Sequence, residues 1–159
     1  RFPEHRVANL GVAGESVEGL LSRVKSITRK YSAADFIFIM TGINNIAMED
    51  FDFFDAYREI LEGLKTAYPE AQIFIQSLLP ALVDFITSDS IKIVNDSLKN
   101  LAADSGVEYL DVYRLFIHAD GNPAKEYFLD DGVHLSEKGY AVWSEAIERI
   151  ITLSLTLPP

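Results

Sequence analysis

The stretch Asp130-Asp131-Gly132-Val133-His134-Leu135-Ser136 carries the side chains best suited to chemistry. An Asp three residues before a His can fold back and accept from one imidazole nitrogen. That contact fixes the tautomer and leaves the other nitrogen free as a general base. The same residues also suit a plain helix entry, where acidic groups favour the N-terminal dipole and the His is merely exposed. A second stretch, Gly42-Ile43-Asn44-Asn45, ends an apolar run. An Asn amide at a strand's carboxyl end can donate to a developing oxyanion; an Asx-turn closing the strand is the alternative. In the third, Asn9-Leu10-Gly11-Val12-Ala13-Gly14-Glu15-Ser16, Gly14 precedes a helix start. Its N–H can meet an anion there, or the segment is only a tight strand-to-helix turn. No Walker or dinucleotide fingerprint is present.

The elements that must position these residues alternate between strand and helix. Val7 to Val12 reads as a short strand, with Gly11 and Gly14 turning the chain into a helix from about Ser16. Val17, Leu20, Leu21, Val24 and Ile27 share one face of that helix. Phe36 to Met40 is a continuous apolar run, as expected of a parallel strand buried on both faces. A helix from Phe53 to Ala67 stops before Pro69. Strands follow at Gln72 to Leu79 and Val107 to Val112, flanking a helix from Ile91 to Ala103 with a stop at Gly106. Ser136 reads as the N-cap of a last long helix carrying Tyr140, Trp143, Ile147 and Ile150. Four strands separated by helices predict a three-layer α/β/α domain with a parallel sheet. No repeat or linker divides it, so residues 1–159 read as one domain. Ligands of such sheets bind at the carboxyl ends of the strands, where all three stretches fall.

Composition narrows the function classes. With 24 acidic against 14 basic side chains the net charge is −10, which argues against phosphate-backbone binding and hence nucleic acid as a partner. The absence of Cys removes thiolate nucleophiles, disulfides and Cys-based zinc sites, and fits either redox compartment. No apolar run reaches the roughly 18 residues of a membrane span. No signal peptide stands in the given residues, and localisation is left open. The chain opens on Arg1 rather than Met, so the natural N-terminus is expected upstream.

Taken in order, the three stretches resemble the SGNH (GDSL) hydrolase superfamily, named for a Ser, Gly, Asn and His in four sequence blocks. Asn9 to Gly14 is similar to its second block, with Gly14 as the oxyanion Gly. Gly42-Ile43-Asn44-Asn45 is similar to the third, usually Gly-x-Asn-Asp, with Asn44 as the oxyanion Asn. Asp131-Gly132-Val133-His134 is similar to the fifth, Asp-x-x-His. Gln76 to Pro80 and Glu108 to Val112 resemble esterase branches of the family, so the likeness covers nearly the whole chain.

Two departures stand out. Asn45 replaces the usual Asp, as in some acetylhydrolase-like members. The first block, whose Gly-Asp-Ser supplies the nucleophile, has no counterpart; Arg1 to Arg6 resembles the loop that follows it. Gly14-Glu15-Ser16 and Ser88-Asp89-Ser90-Ile91 mimic that block. Taking Ser16 as block one leaves no room for a further strand and helix, and Ser90 lacks the Gly and precedes a helix in a loop. The nucleophile is therefore expected upstream of Arg1. The family's usual sheet order, 2-1-3-4-5, sets the absent strand between Val7–Val12 and Phe36–Met40. An empty slot there leaves backbone groups unpaired, each costing about 1–3 kcal/mol if buried. Either the chain is a fragment or something fills the slot. The alternating tail from Thr152 to Leu157 can pair as a strand or simply end the last helix.

The resemblance implies a serine ester hydrolase of flavodoxin-like fold, with His134 as base, Asp131 orienting it, Gly14 and Asn44 forming the oxyanion hole, and no metal or cofactor. Its substrate would be a small-molecule, carbohydrate or lipid ester, with acetyl or short-chain acyl groups favoured by short loops. Ala81, Leu82, Val83, Phe85 and Ile86 suit an acyl pocket, a lid or a dimer contact equally. Three other readings remain: a non-catalytic binding domain of this fold, a flavodoxin-like phosphate or nucleotide binder, and a metal site built from His118, Asp120, Asp131 and His134.

Overall fold

The computed structural model describes residues 5–156. Three parallel strands, β1 (Phe36–Ile39), β2 (Gln72–Gln76) and β3 (Glu108–Leu110), lie side by side in that order. Their register pairs Phe38 with Phe74 and Gln76 with Leu110. Around them lie helices α1 (Val17–Lys30), α2 (Ile43–Ala47), α3 (Phe54–Ala67), α4 (Ser88–Ser105) and α5 (Glu137–Thr156), with 3-10 turns at Tyr113–Phe116 and Lys125–Tyr127. Side chains alternate across a strand, so Ile39, Ile73 and Ile75 point one way while Phe38, Phe74 and Gln76 point the other. The isoleucine face joins one continuous core with Val17 and Val24 of α1, Tyr57, Ile60 and Leu61 of α3, and Val94 and Leu98 of α4. On the other face Phe38 stacks on Phe74 at 4.9 Å, and α5 docks through Trp143, whose Nε1 donates to Gln76 Oε1 at 2.7 Å. The result is the α/β/α layering expected from the alternating pattern.

Local chemistry sets the element ends. Ser16 Oγ accepts from Gly19 N at 3.2 Å and caps α1. Thr87 caps α4 by accepting from Ser90 N at 3.0 Å, so this helix starts at Ser88 rather than Ile91, and Ser90 lies in its first turn instead of a loop. Gly106 ends α4 in the left-handed conformation, with φ of 64°. The second strand stops at Gln76, short of Leu79, because a side chain takes over the ladder. Asn95 Oδ1 accepts from Leu78 N at 2.7 Å, and its Nδ2 donates to Leu78 O at 3.1 Å. The last helix continues to Thr156, so the strand reading of the tail fails for its described residues; Leu157 lies outside them.

Val7–Val12 is a correction to the predicted strands. It has no strand partner among the described residues, and Val7 and Val12 are exposed. It is irregular chain held by polar contacts, Arg23 Nη2 to Leu10 O and Gly11 N to Asn9 Oδ1. A strand needs a neighbour, and the edge of β1 on that side is unpaired among the described residues. Strand β1 is accordingly an edge strand, half-buried except at Ile39, while β2 is buried from Ile73 to Gln76. Among the described residues, no helix is long and apolar enough to cross a membrane.

Gly139, in the first turns of α5, faces the Tyr127 carbonyl and the Leu135 side chain so closely that a Cβ there overlaps both. Gly139→Ala is expected to cost about 1–3 kcal/mol, as overpacking against backbone does, and thermal denaturation reads it as a lowered Tm.

Candidate active site

The loop from Leu129 to Ser136 is shaped by its own backbone. Leu129 N donates to His134 O at 2.8 Å, and Gly132 N donates to Leu129 O at 2.9 Å. Gly132 turns with φ of 72°, a conformation L side chains rarely adopt, and a Cβ there would also meet Leu82 Cβ at 2.9 Å. The turn folds Asp131 back onto His134. Asp131 Oδ1 accepts from the backbone N–H groups of Val133 and His134, each at 2.9 Å, and Oδ2 lies 2.8 Å from His134 Nδ1. These contacts, led by the two backbone donors, hold the Asp131 carboxyl down to about 2. An ionised carboxylate only accepts, so Nδ1 carries a proton toward Oδ2, and in the neutral ring Nε2 is then the atom with the lone pair. The His134 side chain is 65% exposed.

The second cluster sits at the end of β1. Gly42 takes φ of 124° and caps α2, with the Phe53 ring 3.3 Å from where a Cβ would stand. Asn44 then sends one amide hydrogen to Glu15 O at 2.9 Å, and its other hydrogen meets no acceptor among the described residues. Gly14 turns with φ of 73° in open space, and its N–H likewise donates to no described residue. Asn45, fully buried, ties the two segments together by accepting from Val17 N at 3.0 Å. The carboxylate of Glu15 is gripped by Arg23, Nε to Oε1 at 2.6 Å and Nη2 to Oε2 at 2.7 Å. That fork fixes the turn whose carbonyl orients Asn44.

No hydrogen bond links the two clusters directly among the described residues. The segment after β2 connects them instead. Leu78 packs against Gly42, and four residues on Leu82 N donates to Gly132 O at 2.8 Å. Beside this brace opens a cavity of about 620 Å³, lined in part by Ala81, Leu82, Val83 and Ile86 together with Phe128 and Leu129. Phe85, of the same apolar loop, is 68% exposed and outside that lining.

The remaining candidates have other employment. Ser16 Oγ caps α1 and Ser90 Oγ lies 2.7 Å from Thr87 Oγ1, so both mimics of the nucleophile block are taken up by helix entries. His118 faces Glu126 at 3.6 Å while Asp120 binds the N–H and side-chain amide of Asn122. Among the described residues, no three His, Cys, Asp or Glu side chains gather into a metal-ligating group. The Glu15–Arg23 fork, the Asn45 contacts and the Leu82–Gly132 brace were invisible in the motifs. Only Asn95, a polar residue among the apolar Val94 and Leu98, carried a signal of buried polar work.

A model of the GDSL-like lipase/acylhydrolase family matches residues 1–142. No curated protein matches the chain. Among solved structures, a Streptococcus pneumonia protein named for platelet activating factor superposes with a TM-score of 0.81 at 24% identity, over 93% of this chain and 73% of its own. A GDSL-like lipase from Bacteroides thetaiotaomicron gives 0.75 at 20% identity, covering 91% and 74%. The psychrotrophic esterase EstA from Pseudoalteromonas sp. gives 0.73 at 15%, covering 94% and 78%. At these identities the structures speak for the fold, and the family match adds the lineage. The chain belongs to the GDSL-like lipase/acylhydrolase family.

Proposed function

We propose that this protein is a serine ester hydrolase of the SGNH type, acting on acetyl or short-chain acyl esters of a small molecule, carbohydrate or lipid. Residues 1–159 are read as a single domain lacking its first strand, with the nucleophilic Ser supplied upstream of Arg1. The observation that carries the reading is the 2.8 Å contact between Asp131 Oδ2 and His134 Nδ1, which leaves Nε2 as a base at the surface. The unpaired edge of β1 among the described residues is where an upstream strand would pair.

In this reading the Ser Oγ attacks the ester carbonyl while His134 Nε2 takes its proton. Negative charge gathers on the former carbonyl oxygen, where the Gly14 N–H and the free Asn44 amide hydrogen can donate, along with the N–H of the Ser itself. Collapse breaks the bond to the alcohol, which leaves with the proton from His134. Water then attacks the acyl-Ser, His134 again accepting a proton, and the acid departs as the proton returns to Ser. Asp131 stays ionised and steadies the imidazolium in both halves. Nothing in this sequence of steps calls on a metal or cofactor.

Fluorophosphonate labelling, read by intact mass and peptide mapping, tests the assignment. The expected result is no label on Ser16, Ser90 or any other Ser of residues 1–159, and one label on an upstream Ser in the chain as encoded. Label on an internal Ser overturns the upstream nucleophile. No label in either form favours a non-catalytic binding domain of the same fold. Turnover restricted to long acyl chains would sink the short-chain preference.

A further inference from the structure

Asn45 stands where the family usually has Asp, and its surroundings explain the exchange. Its Nδ2 donates one hydrogen to Glu18 Oε2 at 3.0 Å and the other to Asp50 Oδ2 at 2.8 Å, while its Oδ1 accepts from Val17 N. Both amide hydrogens are thus committed to carboxylates and the oxygen to a backbone donor. The residue is fully buried. An Asp here has no hydrogens to give and would set a third carboxylate between two others. The backbone is drawn into the same knot, since Asp50 N donates to Asn45 O at 2.9 Å and Glu18 follows Val17 at the start of α1. Asn45 adjoins Asn44, and Val17 begins three residues after Gly14.

We propose that Asn45, Glu18 and Asp50 form a positioning node that fixes the Gly14 turn relative to the Asn44 amide, and that the two carboxylates select Asn over Asp at this position. The node touches no substrate; it acts by holding two donors at one spacing. This inference rests on the oxyanion role given to Gly14 and Asn44 above. Hydrogen bonding to Asn45 is also the largest influence lowering the carboxyls of Glu18 and Asp50, so both are ionised when the amide serves them.

The test compares Asn45→Asp with the triple variant Asn45→Asp/Glu18→Gln/Asp50→Asn, in which two amides face one carboxylate. Asn45→Asp is expected to lower Tm by about 10 °C, as an uncompensated buried charge does. Below its melting range, kcat on a short-chain ester should fall about 10²-fold with KM little changed, the loss typical of misplaced donors. The Gly14 backbone and Asn44 side-chain amide resonances should move in a ¹H–¹⁵N spectrum. The triple variant should recover Tm, kcat and both resonances. Wild-type Tm and resonances in Asn45→Asp, or no recovery in the triple variant, overturn the node. A lowered Tm with kcat and resonances unchanged overturns positioning and leaves only a structural knot. Should the wild-type chain as encoded, upstream Ser included, turn over no ester, the ester-hydrolase reading fails, while the resonances still decide whether the node holds the two donors.

Discussion

In the chain as encoded, with its upstream Ser, His134→Ala is expected to lower kcat on a short-chain ester by about 10⁴–10⁶-fold, the range found when a catalytic base is removed from a triad. KM should change little, because the imidazole acts on the proton of the nucleophile and not on the bound ester. The variant should keep its fold. The ring is 65% exposed and fills no core, while the contacts that shape the loop come from the backbone: His134 N to Asp131 Oδ1, and His134 O from Leu129 N. Comparing kcat with Tm on the same preparation therefore separates chemistry from stability. Fluorophosphonate labelling should fall in parallel with kcat, since the probe reads the same activated Ser. Turnover that survives the substitution would move the base elsewhere and leave the Asp131–His134 contact as loop architecture.

How much of this was legible in the sequence depended on the range of the interactions involved. Asp131 and His134 are three residues apart, so the turn that joins them is local and the spacing alone suggested the contact. Strands β1 to β3 were legible as apolar runs because burial between two helical layers demands them. Val7–Val12 is also largely apolar, yet a strand exists only where a neighbour pairs with it, and among the described residues none does. The start of α4 was placed three residues late because the periodic apolar face begins at Ile91, whereas the helix is nucleated by the Thr87 cap. Asn45 read merely as a departure from a motif. Its meaning lies in Glu18, 27 positions away, and in Asp50, which only the fold brings to the same amide. The Glu15–Arg23 fork was missed for a related reason. Its partners are eight residues apart, across a turn and into the second turn of a helix, a separation with no periodic signature.

Asp131→Asn tests the other half of the dyad with almost no change of shape. The Oδ1 atom, which accepts from Val133 N and His134 N, survives in the amide, so the loop keeps its two backbone anchors. Only Oδ2 changes, from an acceptor to a donor, at the atom that faces His134 Nδ1. An amide hydrogen directed at Nδ1 requires a lone pair there, which forces the ring proton onto Nε2 and removes the base. The expected loss is about 10⁴-fold in kcat, the effect of a reversed tautomer rather than of lost structure. The same carboxylate sets a boundary on the pH response. With its carboxyl held down to about 2, Asp131 contributes stability that is present above the ordinary aspartate range near 3.8 and is lost as pH falls toward 2. Thermal stability attributable to Asp131 should decline only as pH falls from about 3.8 toward 2. Asp131→Asn should remove the low-pH component of the stability curve along with the turnover. If the variant instead keeps wild-type kcat, the carboxylate does not orient the base, and its three hydrogen bonds serve the loop alone.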